Sequence, residues 1–138
     1  RPWEFIVVKD KDMLRHLSEC RTGAARMLAG ADAAIVIIAN AEASDVWIED
    51  CSIAMANMHL MADSLGVGSC WIQGRLRTAT TADSGTASVT TEDYVRECLD
   101  FPEGYKLEAI LSLGMPAEEK TPAELSKLPF EKIHYEKF

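Results

Sequence analysis

Hydrophobic and polar positions along the chain predict strands and helices in alternation. Short β-branched runs predict a buried strand over 3–9 and a second strand over 33–39, whose unbroken apolar run requires cover on both faces. Amphipathic spacing predicts a helix over 11–20 and a shorter one over 23–29. The remaining predicted elements are a helix over 44–65, a strand over 67–73, a helix that Thr90 or Thr91 caps and that reaches about Leu99, and a strand over 105–113. The order β-α-α-β-α-β-α-β predicts an α/β (α+β layered) domain around one central sheet.

The helix predicted over 44–65 is the longest element. Ser44 or Asp45 is expected to cap its start, and Gly66 follows its last turn, where a left-handed residue is often needed. From Cys51 onward it is apolar nearly all round, which indicates burial in a core or an interface. Polar residues interrupt that run before it reaches the roughly 18 residues of a membrane span.

Two segments carry little periodic pattern. Residues 77–91 are rich in Thr, Ala, Ser and Gly and predict a mobile surface loop. Residues 115–138 predict a C-terminal arm of a single domain that spans 1–138, and the arm either wraps a partner subunit or packs on its own domain. Because the chain enters its first strand almost at once, we expect a further segment upstream of Arg1.

Composition narrows the function classes. The 138 residues are 48% hydrophobic and 26% charged, with a formal net charge of −8. That charge argues against nucleic acid and against anionic membranes, which both need clustered Lys and Arg. The four cysteines form no C-x-x-C pair, so we interpret them as reduced thiols of a cytoplasmic protein, although spacing alone leaves disulfides open.

Familiar catalytic motifs are absent from the sequence. No serine lies in a G-x-S-x-G elbow, no metal-ligand spacing occurs, and Cys70 is better explained as a core thiol than as a nucleophile. Gly66 and Gly68 enter a strand, whereas a dinucleotide cradle needs its glycines after one. What remains is the segment 65–74, either a plain buried strand or a backbone ledge beside a flat ligand that Gly74 allows to approach closely.

Four blocks of sequence, in order, resemble the nitroreductase family. Arg1-Pro2-Trp3-Glu4-Phe5-Ile6-Val7-Val8 is similar to its "QPW-F-VV" strand, and 65–74 to its "LGLGSCWIG" strand. Residues 105–120 resemble its "ILSLGYPAE-K" ending. The long helix resembles its "D-x-S-x-A-x-x-N-x-x-L-x-A" pattern through Asp50, Ser52, Ala54, Asn57, Leu60 and Ala62.

The resemblance implies a central mixed sheet flanked by helices and a homodimer joined through the long helix. It implies an enzyme with FMN at the interface, which takes a hydride from NADH or NADPH and reduces nitroaromatic compounds, quinones or similar small acceptors. By position, Trp71, Ile72, Gln73 and Gly74 would border the isoalloxazine. Arg1 would stand near the flavin and Lys120 near its phosphate, whereas no catalytic side chain and no metal site are assigned.

The chain also departs from the family pattern. An "R-R-S-x-R" segment that grips the flavin phosphate is absent, and 78–91 lacks the charged loop of the family, so we expect weak FMN binding by this chain. Two alternatives therefore stay open. One is a non-catalytic flavin or small-ligand binding protein of the same fold, and the other is a flavin-fragmenting or dehalogenating relative.

Overall fold

A computed structural model describes residues 1–80 and 88–138, in which four strands form one sheet. The strands are β1 (Trp3–Val8), β2 (Ala33–Asn40), β3 (Gly68–Gln73) and β4 (Tyr105–Gly114), in the spatial order β1-β2-β4-β3. The predicted α/β class is confirmed. Within the described residues, however, all three pairings are antiparallel where a mixed sheet was expected, because neighbouring strands enter the sheet from opposite ends.

Three α-helices flank the sheet: α1 (Lys11–Leu17), α2 (Trp47–Ser64) and α3 (Thr91–Leu99). The carboxylate of Asp10 accepts a hydrogen bond from the Met13 N–H at 2.8 Å and caps α1, which ends three residues before the predicted boundary. The predicted helix over 23–29 is instead a 3-10 turn over Arg26–Gly30. Apart from this turn, element order and type follow the hydrophobic pattern, whereas the ends of elements do not.

The caps of the other two helices test the sequence rules directly. The α2 prediction is wrong at its start: the helix begins at Trp47 after Val46, with no side-chain cap, and Ser44 donates instead to Asp50 at 3.4 Å. Its end is confirmed, since Gly66 has a φ of 70°. The α3 cap is also confirmed, because the Thr90 hydroxyl accepts from the Asp93 N–H at 3.0 Å.

The sheet separates two hydrophobic layers. On one face α1 and α3 pack over a layer that contains Leu14, Val95, Ile72 and Leu107. On the other face α2 packs through Cys51 and Met55 against inward residues of β2 and β4. The second strand is accordingly buried on both faces, as its unbroken apolar run predicts.

One exposed hydrophobic surface joins β1 and α2. The first strand was expected to be buried, but it is an edge strand of the described sheet, paired with β2 alone. Two of its side chains on the α2 side remain exposed, as do several on α2 itself. These five residues, which we call the apolar face, are Phe5 (44% exposed), Val7 (62%), Ile53 (63%), Leu60 (70%) and Met61 (61%).

The loop and the arm differ in how they fit the prediction. Residues 81–87 of the predicted mobile loop lie outside the described residues, while its flanks pair through Thr78 and Thr90. The arm over 115–138 is exposed along its whole length and contains two 3-10 turns. That exposure disfavours packing on its own domain, and wrapping of a partner stays a prediction.

Candidate functional site

The end of β3 presents backbone donors at an open edge. The Gly74 N–H donates to the Glu108 carbonyl at 3.0 Å, across the ladder in which Gln73 faces Ala109. Successive N–H groups of an antiparallel strand point alternately toward and away from the paired strand. Since the Gly74 N–H points toward β4, the N–H groups of Gln73 and Trp71 point away from it. In the described part of the chain no other strand pairs with that edge, so these amides are available to a ligand.

Side chains along β3 anchor the strand. The Trp71 side chain is half-buried in the layer beneath α2 and stacks on His59, with 6.5 Å between ring centroids and 4° between planes. His59 also forms a 2.7 Å hydrogen bond with the Ser69 hydroxyl, as expected for a histidine within an apolar helix. The side chain of Ile72 is fully buried in the opposite layer, so Ile72 can offer a ligand only its backbone.

A hydrogen-bond network holds Gln73 in one orientation. The indole N–H of Trp71 donates to the Gln73 side-chain oxygen at 2.9 Å. The Gln73 amide nitrogen donates to the Glu108 carboxyl at 3.2 Å and to the Glu108 carbonyl at 3.3 Å. The same carbonyl accepts from the N–H groups of Gly74 and Arg75 at 3.0 Å each. Glu108 therefore organises the end of β3.

Glu108 is a site residue that the sequence reasoning missed. It is 3% exposed, and its second carboxyl oxygen has no hydrogen-bond partner among the described residues. Burial raises the pKa of the Glu108 carboxyl, the bond from Gln73 and the nearby Arg75 partly offset that rise, and Glu49 adds to it. The available signal was one acidic residue inside the otherwise apolar strand over 105–113.

Replacing Glu108 by glutamine should remove one component of the pH dependence of stability. Since folding raises the pKa of this carboxyl, the folded state holds the proton more tightly than the unfolded state. The contribution is fully present below the ordinary pKa of 4.5 and is lost as pH rises through the folded value. Glu108→Gln should therefore gain stability relative to the unmodified chain as pH rises through this window, measured by urea unfolding at several pH values.

The matched control for this pH series is the exposed Glu103. Glu103→Gln removes the same charge without a buried carboxyl, so its stability difference from the unmodified chain should change less with pH. A Glu108→Gln difference that is flat across pH, or that moves in the opposite direction, would contradict the assignment.

The packing of the protein core requires a glycine at position 74. A Cβ on Gly74 would lie 2.6 Å from Leu107 Cδ2 and 2.8 Å from Leu107 Cγ, and both are closer than carbon atoms can approach. Leu107 is fully buried. The sequence interpretation, in which the lack of a Cβ lets a ligand approach, therefore did not consider Leu107. A Cβ at this position would point at Leu107.

A cleft of about 600 Å³ opens beside Gly74. Trp47 and Leu76 supply apolar surface, and the cleft lies between the end of β3 and the start of α3. Its charged lining residues are Arg75, Arg77, Lys106, Glu92 and Asp93. Its volume is within the range of small-molecule sites.

Glu92 has its charge compensated within the cleft. Its carboxylate accepts from Arg96 at 2.7 Å, from Lys106 at 3.2 Å and from the Leu107 N–H at 3.0 Å. Burial raises the pKa of Glu92, but these three donors outweigh burial and hold the pKa below its ordinary value.

The remaining predicted site residues are divided between the two ends of the sheet. Arg1 precedes Pro2, whose carbonyl accepts from the Asn40 N–H at 2.9 Å, so Arg1 lies at the same end of the sheet as Gly74. Lys120 follows the opposite end of β4 and lines a second cleft with Gly68. Within one chain the structure does not bring Lys120 together with Gly74.

The two fully buried cysteines are unsuited to nucleophilic chemistry. Burial raises the pKa of both Cys20 and Cys51 to about 12, so these thiols are poor nucleophiles near neutral pH.

Among residues 1–80 and 88–138, no three His, Cys, Asp or Glu side chains gather as a metal site would require. Within those same ranges no helix is long and apolar enough to cross a bilayer.

The structure is a layered α/β domain, the class that the sequence predicts, and its edge strand β3 ends next to Gly74 beside a cleft. A family model described as "Nitroreductase family" matches residues 8–115. The chain therefore belongs to the nitroreductase family.

Individual relatives agree with the family model. The chain is 36% identical to a protein of Archaeoglobus fulgidus that carries the provisional name NADH dehydrogenase/NAD(P)H nitroreductase, over 100% of this chain and 75% of that protein. A protein of the same provisional name from Methanothermobacter thermautotrophicus is 32% identical over 100% of this chain and 66% of its own length. The structure of an FMN-dependent nitroreductase from Clostridium difficile R20291 shares 46% identity with a TM-score of 0.90, and covers 99% of this chain and 76% of that one.

Proposed function

We propose that this chain is an FMN-dependent oxidoreductase that passes a hydride from NAD(P)H through the flavin to nitroaromatic, quinone or similar small acceptors. The observation that carries the proposal is the outward backbone amide of Gln73, held by the β3–β4 ladder at an open strand edge beside a cleft, while Trp71 and Glu108 hold the Gln73 side chain. Membership of the nitroreductase family and the FMN dependence of the Clostridium difficile relative support it.

The residues at this edge suit a flat, hydrogen-bonding ring. The Gln73 N–H would donate to a ring nitrogen, and the Trp47 side chain would exclude water from one side of the cleft. When bound, the flavin supplies a ring that accepts a hydride and then transfers its electrons onward. The contribution of the chain is to orient that ring and to keep its donors in fixed positions, since a prearranged donor costs little reorganisation during reaction.

The first test is whether the purified chain binds and uses FMN. Titration with FMN should quench flavin fluorescence, and the bound flavin absorbance should bleach when NADH or NADPH is added without oxygen. Adding a nitroaromatic compound or a quinone should then restore the absorbance. A chain that binds no FMN refutes the proposal, and one whose bound flavin neither dinucleotide bleaches is a flavin-binding protein without this activity.

The role of the Gln73 amide is tested by Gln73→Pro. Proline removes an outward N–H that the sheet does not use, a change that edge strands tolerate. Losing one such hydrogen bond should weaken FMN binding by roughly 2- to 10-fold, from about 0.5–1.5 kcal/mol. The measurement is FMN titration, with far-UV circular dichroism to verify the fold.

Gln73→Ala is the matched control, because it keeps the backbone N–H and removes only the side chain. FMN should bind Gln73→Ala more tightly than it binds Gln73→Pro. If the two variants bind FMN equally, the backbone amide has no role and the ring lies elsewhere.

A further inference from the structure

Two arginines occupy a braced turn at the mouth of the cleft. Arg75 is half-buried and Arg77 is exposed, and both follow directly from the strand end at Gly74. Among the residues that the structure describes, neither guanidinium lies within 4.0 Å of a carboxylate. The recorded side-chain bond of Arg77 goes to the neighbouring Leu76 carbonyl at 2.9 Å.

The turn is held from both sides by backbone hydrogen bonds. The Arg75 N–H donates to the Glu108 carbonyl at 3.0 Å, and the Arg77 carbonyl accepts from the Thr91 N–H at 2.8 Å. Between them Leu76 has a φ of 57°, a left-handed conformation that is strained for a leucine. Such a conformation persists where the surroundings impose it. The arginines are thus attached to fixed backbone positions.

The charge distribution favours an anion at this turn. The chain as a whole has a formal net charge of −8, which repels anions. Three positively charged side chains nevertheless line this cleft, namely Arg75, Arg77 and Lys106. Of the two acids that also line it, Glu92 is occupied by Arg96 and Lys106, and Asp93 accepts from the Thr90 hydroxyl at 2.6 Å. Neither acid forms an ion pair with Arg75 or Arg77 in the described part of the chain.

We infer that the Arg75–Arg77 turn binds the phosphate groups of the nicotinamide dinucleotide that reduces the flavin. This inference rests on the proposed function, because that function requires NADH or NADPH to lie beside the flavin ring. A dinucleotide that reaches a ring beside Gln73 extends its phosphates away from the ring, and the turn begins two residues beyond Gln73. Guanidinium groups match phosphate oxygens in geometry and charge.

The test is a binding measurement that does not depend on turnover. The chain loaded with FMN is titrated calorimetrically with NAD⁺ and with NADP⁺, and the same is done for Arg75→Gln, Arg77→Gln and the double variant. The double variant should lose about 10-fold or more in affinity, as expected for charged hydrogen bonds. Arg75→Lys with Arg77→Lys should recover part of that loss. Arg26→Gln, an exposed arginine near the opposite end of the sheet, should leave binding unchanged.

The two dinucleotides locate the phosphate that is bound. Equal losses for NAD⁺ and NADP⁺ support the inference through the shared pyrophosphate, and a loss for NADP⁺ alone supports it through the 2′-phosphate. Unchanged affinity for both, no binding of either by the unmodified chain, or a weakened FMN affinity with dinucleotide binding intact would overturn it. Reduction by dithionite, which has no phosphate, separates this result from failure of the proposed function, because dithionite should bleach bound FMN equally in every variant.

Discussion

Replacing Ile53 or Leu60 with glutamate is expected to convert a homodimer of this chain into monomers. Both side chains are more than 60% exposed on α2 and belong to the apolar face, which continues onto Phe5 and Val7 of β1. An exposed hydrophobic surface of this kind marks an interaction site. A second copy of the chain is its expected partner, as the resemblance to the nitroreductase family implies.

The size of the effect follows from two-fold symmetry. Burying one Ile or Leu side chain contributes about 1.5–3 kcal/mol, and each residue occurs twice in a symmetric interface. One substitution should therefore cost about 3–6 kcal/mol of association free energy and raise the dimer Kd roughly 10²- to 10⁴-fold. The change is measured by analytical ultracentrifugation at protein concentrations from 1 to about 100 times the dimer Kd of the unmodified chain.

Met27→Glu provides the control for the dimer prediction. Met27 is also an exposed hydrophobic residue (43%), but it lies on the 3-10 turn and not on the apolar face. Met27→Glu should leave the dimer intact. An unmodified chain that sediments as a monomer at tens of micromolar, or a Leu60→Glu chain that still dimerises, would sink the prediction. Flavin content measured on the same samples shows whether FMN binding depends on the dimer.

Gly74→Ala is expected to destabilise the fold itself. The added methyl group would overlap the fully buried Leu107 side chain at 2.6 and 2.8 Å, so Leu107 must move within a filled layer. Overpacking of this kind costs about 1–3 kcal/mol. Urea unfolding followed by circular dichroism should show the loss in the absence of any ligand, which separates a packing role from a ligand role.

A control and a double-mutant cycle test the cause of that loss. Gly104→Ala adds the same methyl group where nothing lies within 4 Å, and it should be neutral or slightly stabilising. In the Leu107→Ala background, Gly74→Ala should cost much less than in the unmodified chain, because the space is then available. If Gly74→Ala is as stable as Gly104→Ala, or if the cycle shows no coupling, the clash with Leu107 does not determine the residue at 74.

The candidate site was only partly visible in the sequence. Gln73 and Gly74 were selected because a glycine ends an apolar strand, and the structure places them at an open edge beside a cleft. Glu108 was passed over, since 35 residues separate it from Gln73 and no local spacing connects them. The pairing of β3 with β4 brings them together, and pairing depends on the whole sheet.

Edge strands show a second limit of local patterns. The β-branched run of β1 reads as buried because its composition resembles that of β2. Burial depends on which strands and helices become neighbours, and β1 has one strand partner and little cover over Phe5 and Val7. An apolar strand that the domain leaves uncovered is consistent with a partner subunit that covers it.

The sequence by itself determined the order of the elements, the type of all but one of them, a threonine cap at position 90 or 91, the covered second strand, the left-handed Gly66 and the family. Each of these follows from residues that are close in sequence or from ordered blocks of similarity, so no knowledge of distant contacts is needed. Tertiary structure alone decided the antiparallel sheet order, the buried role of Glu108, the packing of Gly74 against Leu107 and the separation of Lys120 from the end of β3. These depend on contacts between segments far apart in the chain, which form only when the complete sheet assembles.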